Sequence, residues 1–414
     1  MTPAAYSKEW AAPTSSAPSR TPCFMISSPS SQHRKPFARS WRHLWRSIKT
    51  LRLIGLDRPG PVQDFQKFVD NLLNLREHRT DLRTVEIKFS GCWADDLPYV
   101  NQWIHSAVMC KVRSLTFHHL GPFLYLNGPH LASRHLRKVD LAGVAVQDTF
   151  LGFSSCPALE DLKMNACDIC VDEISSRSLK HLSITDCVSH YHCRLHVSAL
   201  GLVSLKLDGI WGLAPFFDEN MALLETARVN IGSYCTDICR IYVDSGIFCG
   251  ADNACSGCDD CSDPVLLGGI SSARHLELIS KFRNFIFARD LEHRPIFSNV
   301  KTLLLNEYCC VAPGCDRLAY VLKNSPILEK LTLQLFSKGP NHKVEMKGSY
   351  TTMEGLSAIS EHLKIVEVKC NAVDERILEI LKFLSAFNIR KLTIDTFDPF
   401  SILKLAFTCE SKCR

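Results

Sequence analysis

Long apolar runs are missing from this chain of 414 residues. No stretch reaches the roughly 18 consecutive apolar residues of a membrane-crossing helix, so no membrane partner is expected. An excess of one charge is missing too: 48 Lys and Arg against 43 Asp and Glu leave a formal net charge of +5. The basic run of the chain lies near its start, at Arg34, Lys35, Arg39, Arg42, Arg46 and Lys49. A nucleic-acid footprint requires clustering on one face, so no nucleic-acid partner is expected. The motifs G-x-x-x-x-G-K-[ST], G-x-S-x-G, H-E-x-x-H and G-x-G-x-x-G are all lacking. Sixteen histidines are present, including His118 and His119, but they are scattered along strand ends and turns. A histidine on such a surface is more often solvated than catalytic. No catalytic residue, no cofactor and no enzyme activity are expected.

Acids are scarce at the start, where Glu9 is the one acid among the first 30 residues. That stretch is rich in Ser, Ala and Pro. Low acid and high Ser suit a transit peptide, but Arg is sparse and no amphipathic helix is visible. Residues 1–36 therefore read as a disordered leader. Cysteine, in contrast, is abundant, with 20 residues. Most sit singly at the ends of strand-like runs, unlike the framework of a small secreted scaffold. They predict reduced, mostly buried thiols and a cytoplasmic and/or nuclear location.

One phrase recurs along the chain: an apolar residue, two others, an apolar residue, one other, an apolar residue. It opens with Ile48/Leu51/Leu53, Leu82/Val85/Ile87 and Val112/Leu115/Phe117. Its clearest copies are Leu136/Val139/Leu141, Leu159/Leu162/Met164, Leu179/Leu182/Ile184 and Leu202/Leu205/Leu207. It continues at Leu224/Ala227/Val229, Ala273/Leu276/Leu278 and Val300/Leu303/Leu305. It closes with Leu328/Leu331/Leu333, Leu363/Val366/Val368 and Ile389/Leu392/Ile394. From Leu136 to Leu224 the starts lie 23, 20, 23 and 22 residues apart. That is the leucine-rich-repeat period of roughly 20–29.

Alternation with period 2 puts the apolar side chains on one face of a short strand. A lone strand cannot bury that face, whereas parallel stacking gives every unit a wall. Cys167, Cys187 and Asn371 stand three residues after the last apolar position, where a small polar group can bond free backbone in the turn. Helical spacing at Val62–Leu73, Tyr99–Ala107, Leu318–Leu322 and Ile377–Leu384 predicts helices on the return path. The expected fold is α/β: a leucine-rich-repeat solenoid over residues 48–397. Its concave face would be a parallel sheet, and irregular loops and short helices would form its convex face. Residues 398–414 read as a tail.

Two phrases carry a more specific resemblance. Cys156-Pro157-Ala158-Leu159-Glu160-Asp161-Leu162 and Ser325-Pro326-Ile327-Leu328-Glu329-Lys330-Leu331 both fit [C/S]-P-x-L-E-x-L. In each, proline fixes the turn and the next leucine opens the strand. This wording resembles the plant F-box/leucine-rich-repeat family, especially its grass members. So do the stretches 297–336 and 360–368. Residues 363–394 resemble the FBD region of that family. Arg39-Ser40-Trp41-Arg42-His43-Leu44-Trp45-Arg46-Ser47 is similar to the closing phrase of an F-box. Nothing in residues 1–36 is similar to its opening.

The resemblance implies a substrate receptor of an SCF (cullin-RING) ubiquitin ligase, acting in ubiquitin-dependent degradation. Its F-box would be truncated, with residues 37–47 as the remnant. Trp41, Leu44 and Trp45 would be what is left of an adaptor site, and adaptor binding is expected to be weak or lost. The alternatives are an F-box-less leucine-rich-repeat scaffold unrelated to ubiquitin transfer, or a zinc- or redox-responsive regulator.

That last alternative rests on Cys249, Cys255, Cys258 and Cys261, within a Cys/Asp-rich insertion at about 235–264. A zinc site usually brings two cysteine pairs separated by a longer loop. Here three cysteines overlap and Cys249 would have to fold back. An iron–sulfur run would need Cys where Val265 stands. A flexible acidic insertion, a zinc site and a redox-sensitive thiol cluster all remain readings of this segment; no metal is assigned. For a protein partner, the candidate contacts are the positions between the ladder residues: Lys138, Asp140, Lys163, His181, Lys206, Lys301, Lys330, Thr332 and Gln334.

Overall fold

The computed structural model describes residues 48–55, 82–90 and, apart from short breaks, 97–147, 155–236, 266–280, 295–306, 316–336 and 362–396. It also describes the strands Cys23–Ser27 and Lys404–Thr408. Fifteen strands form one sheet and follow each other across it in chain order. They are β1 (Cys23–Ser27), β2 (Thr50–Gly55), β3 (Thr84–Ser90), β4 (Ser114–Leu120), β5 (Lys138–Ala142), β6 (Asp161–Asn165), β7 (His181–Thr185) and β8 (Ser204–Asp208). Then come β9 (Thr226–Ile231), β10 (His275–Ser280), β11 (Thr302–Asn306), β12 (Lys330–Leu335), β13 (Ile365–Cys370), β14 (Lys391–Thr396) and β15 (Lys404–Thr408). Strands β1 to β14 pair in parallel, and β15 turns back antiparallel to β14. The molecule is therefore α/β, with a large parallel sheet and few helices.

Each strand from β2 to β14 coincides with one ladder phrase. The register aligns the phrases residue for residue: Leu162, Leu182 and Leu205 are neighbours, as are Met164, Ile184 and Leu207. Alternation then separates the two faces. In β7, Leu182 and Ile184 are buried while His181 is exposed and Ser183 half-buried. The buried face joins one continuous core that includes Trp103, Phe117, Phe217 and Phe297, all at 0% exposure. Phe89 packs edge-on against both Trp103 and Phe117, with ring centroids 6.1 and 5.3 Å away.

Backbone bonds lock the two ends of each strand. At the start, the carbonyl just before one strand accepts two N–H groups from the next unit. Glu160 and Asp161 both donate to the Arg137 carbonyl, at 2.8 and 3.0 Å. The same forked bond recurs at the start of every strand from β3 to β14. At the end, the central units turn through a left-handed residue two positions after the last apolar one. These are Gly143, Ala166, Asp186 and Gly209, with φ of 69°, 46°, 51° and 64°. The residue that follows each is buried: Val144, Cys167, Cys187 and Ile210 stack inside.

The return paths correct one expectation. Between β4 and β9 they carry short strands rather than helices. Leu124–Leu126, Val144–Gln147, Asp168–Cys170 and Val188–Ser189 build a four-stranded sheet. Glu173–Ser175, His196–Ser198 and Phe216–Phe217 build a three-stranded one. With units of 20–23 residues, little chain remains for a helix of several turns once strand and corners are spent.

Helices stand where the units are longer. They are α1 (Leu97–Met109), the single turn α2 (Leu267–Ile270), α3 (Asp316–Lys323) and α4 (Glu375–Leu384). Helix α1 buries Val100, Trp103, Ile104 and Ala107. Asp374 caps α4 by accepting from the Ile377 N–H at 3.0 Å. The helical spacing at Val62–Leu73 lies outside the described residues.

Two strands lie outside the thirteen phrases: β1 lacks the opening apolar residue, while β15 carries a further copy, Ile402/Leu405/Phe407. Strand β1 sits within the stretch read as a disordered leader, and β15 within the stretch read as a tail.

Candidate functional site

The polar face of the sheet is the surface that the ladder builds. Parallel sheets are usually covered on both faces; here the outward positions from β2 to β14 remain exposed or half-buried, with the exceptions noted below. Register arranges them in three rows. The first runs through Lys138, Asp161, His181 and Ser204, the second through Asp140, Lys163, Ser183 and Lys206, and the third through Ala142, Asn165, Thr185 and Asp208.

Most sequence candidates fall on these rows. Lys138, Lys163 and His181 are exposed. Lys138 faces Asp161 across β5 and β6, with its Nζ 3.7 Å from the carboxylate. Asp140 is half-buried and contacts His118 Nε2 at 2.9 Å. That hydrogen bond holds the Asp140 carboxyl below its ordinary range against the opposing effect of burial, with further help from the His118, Lys163 and Lys88 charges. Lys206 lies 3.9 Å from Asp208. Lys330 reaches Glu367 at 2.9 Å, and Gln334 stands between Asn306 and Lys369 in the third row.

Two candidates are corrected. Thr332 is in the second row but only 7% exposed. Its register neighbours Leu304 and Glu367 have longer side chains, so the short threonine is screened from solvent. Lys301 is exposed but precedes β11, so it belongs to the strand-start edge. There its Nζ lies 3.3 Å from Glu329.

The phrase also implied residues not singled out. Arg52 and Glu86 pair at 2.7 Å and Arg228 and Glu277 at 3.1 Å, each bridging adjacent strands of the second row. Asn230 donates to Asp208 at 2.7 Å in the third. The same outward positions in the flanking copies would have revealed them. Exposed pairs of this kind contribute about 0–1 kcal/mol each. They orient side chains more than they hold the fold.

The turn cysteines are structural. Cys167 and Cys187 are fully buried, and the Cys167 N–H donates to Cys187 Sγ at 3.4 Å. Cys187 Sγ in turn donates to the Thr185 carbonyl at 3.2 Å. The hydrogen bond to Cys167 and then burial push the Cys187 thiol far above its ordinary range, so it stays protonated. Asn371 donates through Nδ2 to the Phe336 carbonyl, the backbone bond expected of that turn position.

The remaining candidates lie outside the described residues: Trp41, Leu44 and Trp45 of the adaptor remnant, and Cys249, Cys255, Cys258 and Cys261 of the insertion. Among the described residues, no group of three or more His, Cys, Asp or Glu is placed to hold a metal ion. Among the same residues, no helix is long and apolar enough to cross a membrane. A depression of about 380 Å³ opens at the strand-start edge, lined by Arg137, Glu160, Arg177, Ser178, Lys180 and Leu223 among others. The Ser178 hydroxyl there donates to the Leu159 carbonyl at 2.8 Å.

Comparison with known proteins adds one relationship. The chain is 25% identical over 375 residues to a protein of Oryza sativa subsp. japonica described as the meiotic F-box protein MOF; the match spans 80% of this chain and 74% of that protein. No family model and no solved structure matches the chain. The similarity supports kinship with plant F-box proteins.

Proposed function

On the premise of that kinship, we propose that the chain is a leucine-rich-repeat solenoid that binds another protein on its polar sheet face. It would be a substrate receptor of the F-box type, or a derivative that has lost adaptor binding. One observation carries this reading: a single parallel sheet, built in chain order from thirteen successive ladder phrases, leaves one face open across its width and lines it mostly with polar side chains, Ile54, Ile279, Leu304 and Ile365 being among the apolar exceptions. Units that contact only their neighbours build extended binding surfaces in repeat proteins. Thirteen strands about 4.8 Å apart span on the order of 60 Å. A standard interface buries roughly 1,200–2,000 Å² in total, which such a face can supply. The chain acts in this reading by holding, not by catalysis, in the cytoplasm and/or nucleus.

The sequence phrase at residues 39–47 favours a second reading, an F-box-less scaffold. Only the closing phrase of an F-box is recognisable there, with Trp41, Leu44 and Trp45 as its apolar residues. Pull-down of the full chain with purified SCF adaptor separates a ligase receptor from a chain without adaptor binding. Weak or absent binding is expected; a sub-micromolar dissociation constant would overturn that expectation and place the chain in a ligase. The polar face is tested by reversing Lys138, Lys163 and Lys206 to glutamate and repeating affinity capture from plant extract. Retention of the same partners by this variant would remove the sheet face as the binding surface. For the insertion, zinc analysis of protein purified without added metal decides: no stoichiometric zinc means no site.

A further inference from the structure

The charges just before the strands are arranged unlike those on the sheet face. On the face, a cation commonly meets an anion on the next strand, as in Arg52–Glu86, Arg228–Glu277 and Lys330–Glu367. At the strand-start edge, the forked backbone bonds stack one residue per unit. The first four of that stack are Lys49, Arg83, Arg113 and Arg137, all exposed. Like charges on neighbouring strands repel. Lys49, Arg83 and Arg113 nonetheless have no ion-pair partner among the described residues. The run stops at Glu160, which takes Arg137 at 3.5 Å from one side and Lys180 at 3.4 Å from the other.

A hydroxyl follows each of the first three cations. Thr50, Thr84 and Ser114 are register neighbours in the first outward row and half-exposed. None of the three has a side-chain hydrogen bond to another described residue. The strip from β2 to β5 therefore offers four cations and three hydroxyl donors, all suited to oxyanions. In the sequence, no acid occurs between Glu9 and Asp57.

We propose that the strand-start edge of β2 to β5, centred on Lys49, Arg83, Arg113 and Arg137, is the docking strip for an extended acidic segment of the partner protein, one bearing carboxylate side chains. This rests on the reading of the chain as a protein-binding module and gives that module's partner a chemistry. Three strand spacings make the strip about 14 Å long. An extended peptide rising about 3.3 Å per residue covers that in four or five residues. Its same-side carboxylates, roughly 6.6 Å apart, then meet cations along the whole strip.

Two observations favour a peptide over nucleic acid. Among the described residues, the strip contains no aromatic side chain on which a base could stack. It also ends at Glu160 and Asp161, which would repel a continuing phosphate backbone but set the end of a short acidic stretch.

The test uses purified full chain and a fluorescein-labelled peptide of alternating glutamate and serine, read by anisotropy at low salt. A labelled oligothymidylate of equal charge and a lysine–serine peptide run beside it. The expected result is binding of the glutamate peptide, weaker binding of the oligonucleotide, none of the lysine peptide, and loss as added salt screens the charges. Combining Arg83→Gln, Arg113→Gln and Arg137→Gln should weaken the glutamate peptide by about tenfold. Combining Arg274→Gln, Lys364→Gln and Arg390→Gln, from the far end of the same edge, should change it less than about twofold. Arg83→Lys with Arg113→Lys should retain most of the binding.

Equal losses in the two triple variants, tighter binding of the oligonucleotide, or no peptide binding by the unaltered chain each overturn the proposal. Thermal unfolding of each variant checks that the sheet is intact. Failure here is distinct from failure of the binding-module reading. Partner capture that survives the Arg83/Arg113/Arg137 variant but is lost with the sheet-face variant refutes the strip and keeps the module.

Discussion

Replacing Leu331 with alanine asks whether the ladder residues carry the fold. Leu331 is fully buried in β12, and its register neighbours Leu303 and Val366 are 2% and 0% exposed. The substitution removes three carbon atoms. At about 0.8 kcal/mol per buried methylene, the transfer loss alone is roughly 2.4 kcal/mol. Leu303 and Val366 on the neighbouring strands are held by backbone ladders and cannot collapse into the gap, so a cavity contribution adds to it. The expected total is about 2–5 kcal/mol. Lys330→Ala, one residue away, removes an ion pair at 2.9 Å whose partners are 38% and 28% exposed, and should cost no more than about 0.5 kcal/mol. Urea unfolding followed by circular dichroism measures both. Repeat arrays can unfold in parts, so amide hydrogen exchange in β11 to β13 is the second readout; Leu331→Ala should speed it and Lys330→Ala should not. Equal small effects at the two positions would refute the assignment of faces.

Other consequences follow from the strand ends and the polar face. Gly143→Ala should destabilise by more than about 2 kcal/mol, because φ is +69° and the new Cβ would run into the His119 carbonyl; an unchanged urea midpoint would contradict the turn geometry. Ala166→Gly, at φ +46°, should raise stability by about 0.5–1 kcal/mol through relief of left-handed strain, seen as a higher midpoint. Cys187→Ala should cost about 1–3 kcal/mol by leaving the Cys167 N–H without its acceptor, and in the unaltered chain both thiols should react with a thiol reagent only on unfolding. Asp140 has its carboxyl held low by His118. Its stabilising contribution is therefore present above the ordinary carboxylate range near pH 4 and is lost as pH falls through the lower folded value. Asp140→Asn should lower the urea midpoint at pH 6 and have no effect near pH 2; an effect of equal size at both would disprove the pairing.

The ladder strands were legible because each packs its alternate residues against the same two neighbours. Leu182 and Ile184 advertise β7 since nothing but a half-buried strand alternates that way. Strand β1 shows only the alternation Phe24/Ile26 and not the whole phrase, whereas β15 has a full copy, Ile402/Leu405/Phe407, but pairs antiparallel to β14. An edge strand can be held by backbone bonds on one side alone, and Cys23–Ser27 has no preceding leucine to open the phrase. The return strands were illegible for another reason: segments such as Val188–Ser189 are too short to display any period. On the polar face, alternation located Lys138 and Lys163 but not Thr332, whose exposure depends on how far its neighbours' side chains extend. The strip of cations at the strand starts is invisible to any local pattern. Lys49, Arg83 and Arg113 lie some thirty residues apart, and only the stacking of units makes them neighbours.

Between β9 and β10 the chain makes its longest excursion, yet Thr226 meets His275 and Val229 meets Leu278 in the same register as everywhere else. The sheet closes over that excursion without a step. Closure entropy rises only slowly with loop length, by about 0.6 kcal/mol for each doubling, and the forked bond from Arg274 and His275 to the Glu225 carbonyl fixes the junction locally. Length and geometry are thus decoupled at this joint. Sequence can be added, lost or exchanged there during evolution while the sheet keeps its shape, and the same joint is a natural place to graft a foreign domain or a fluorescent reporter.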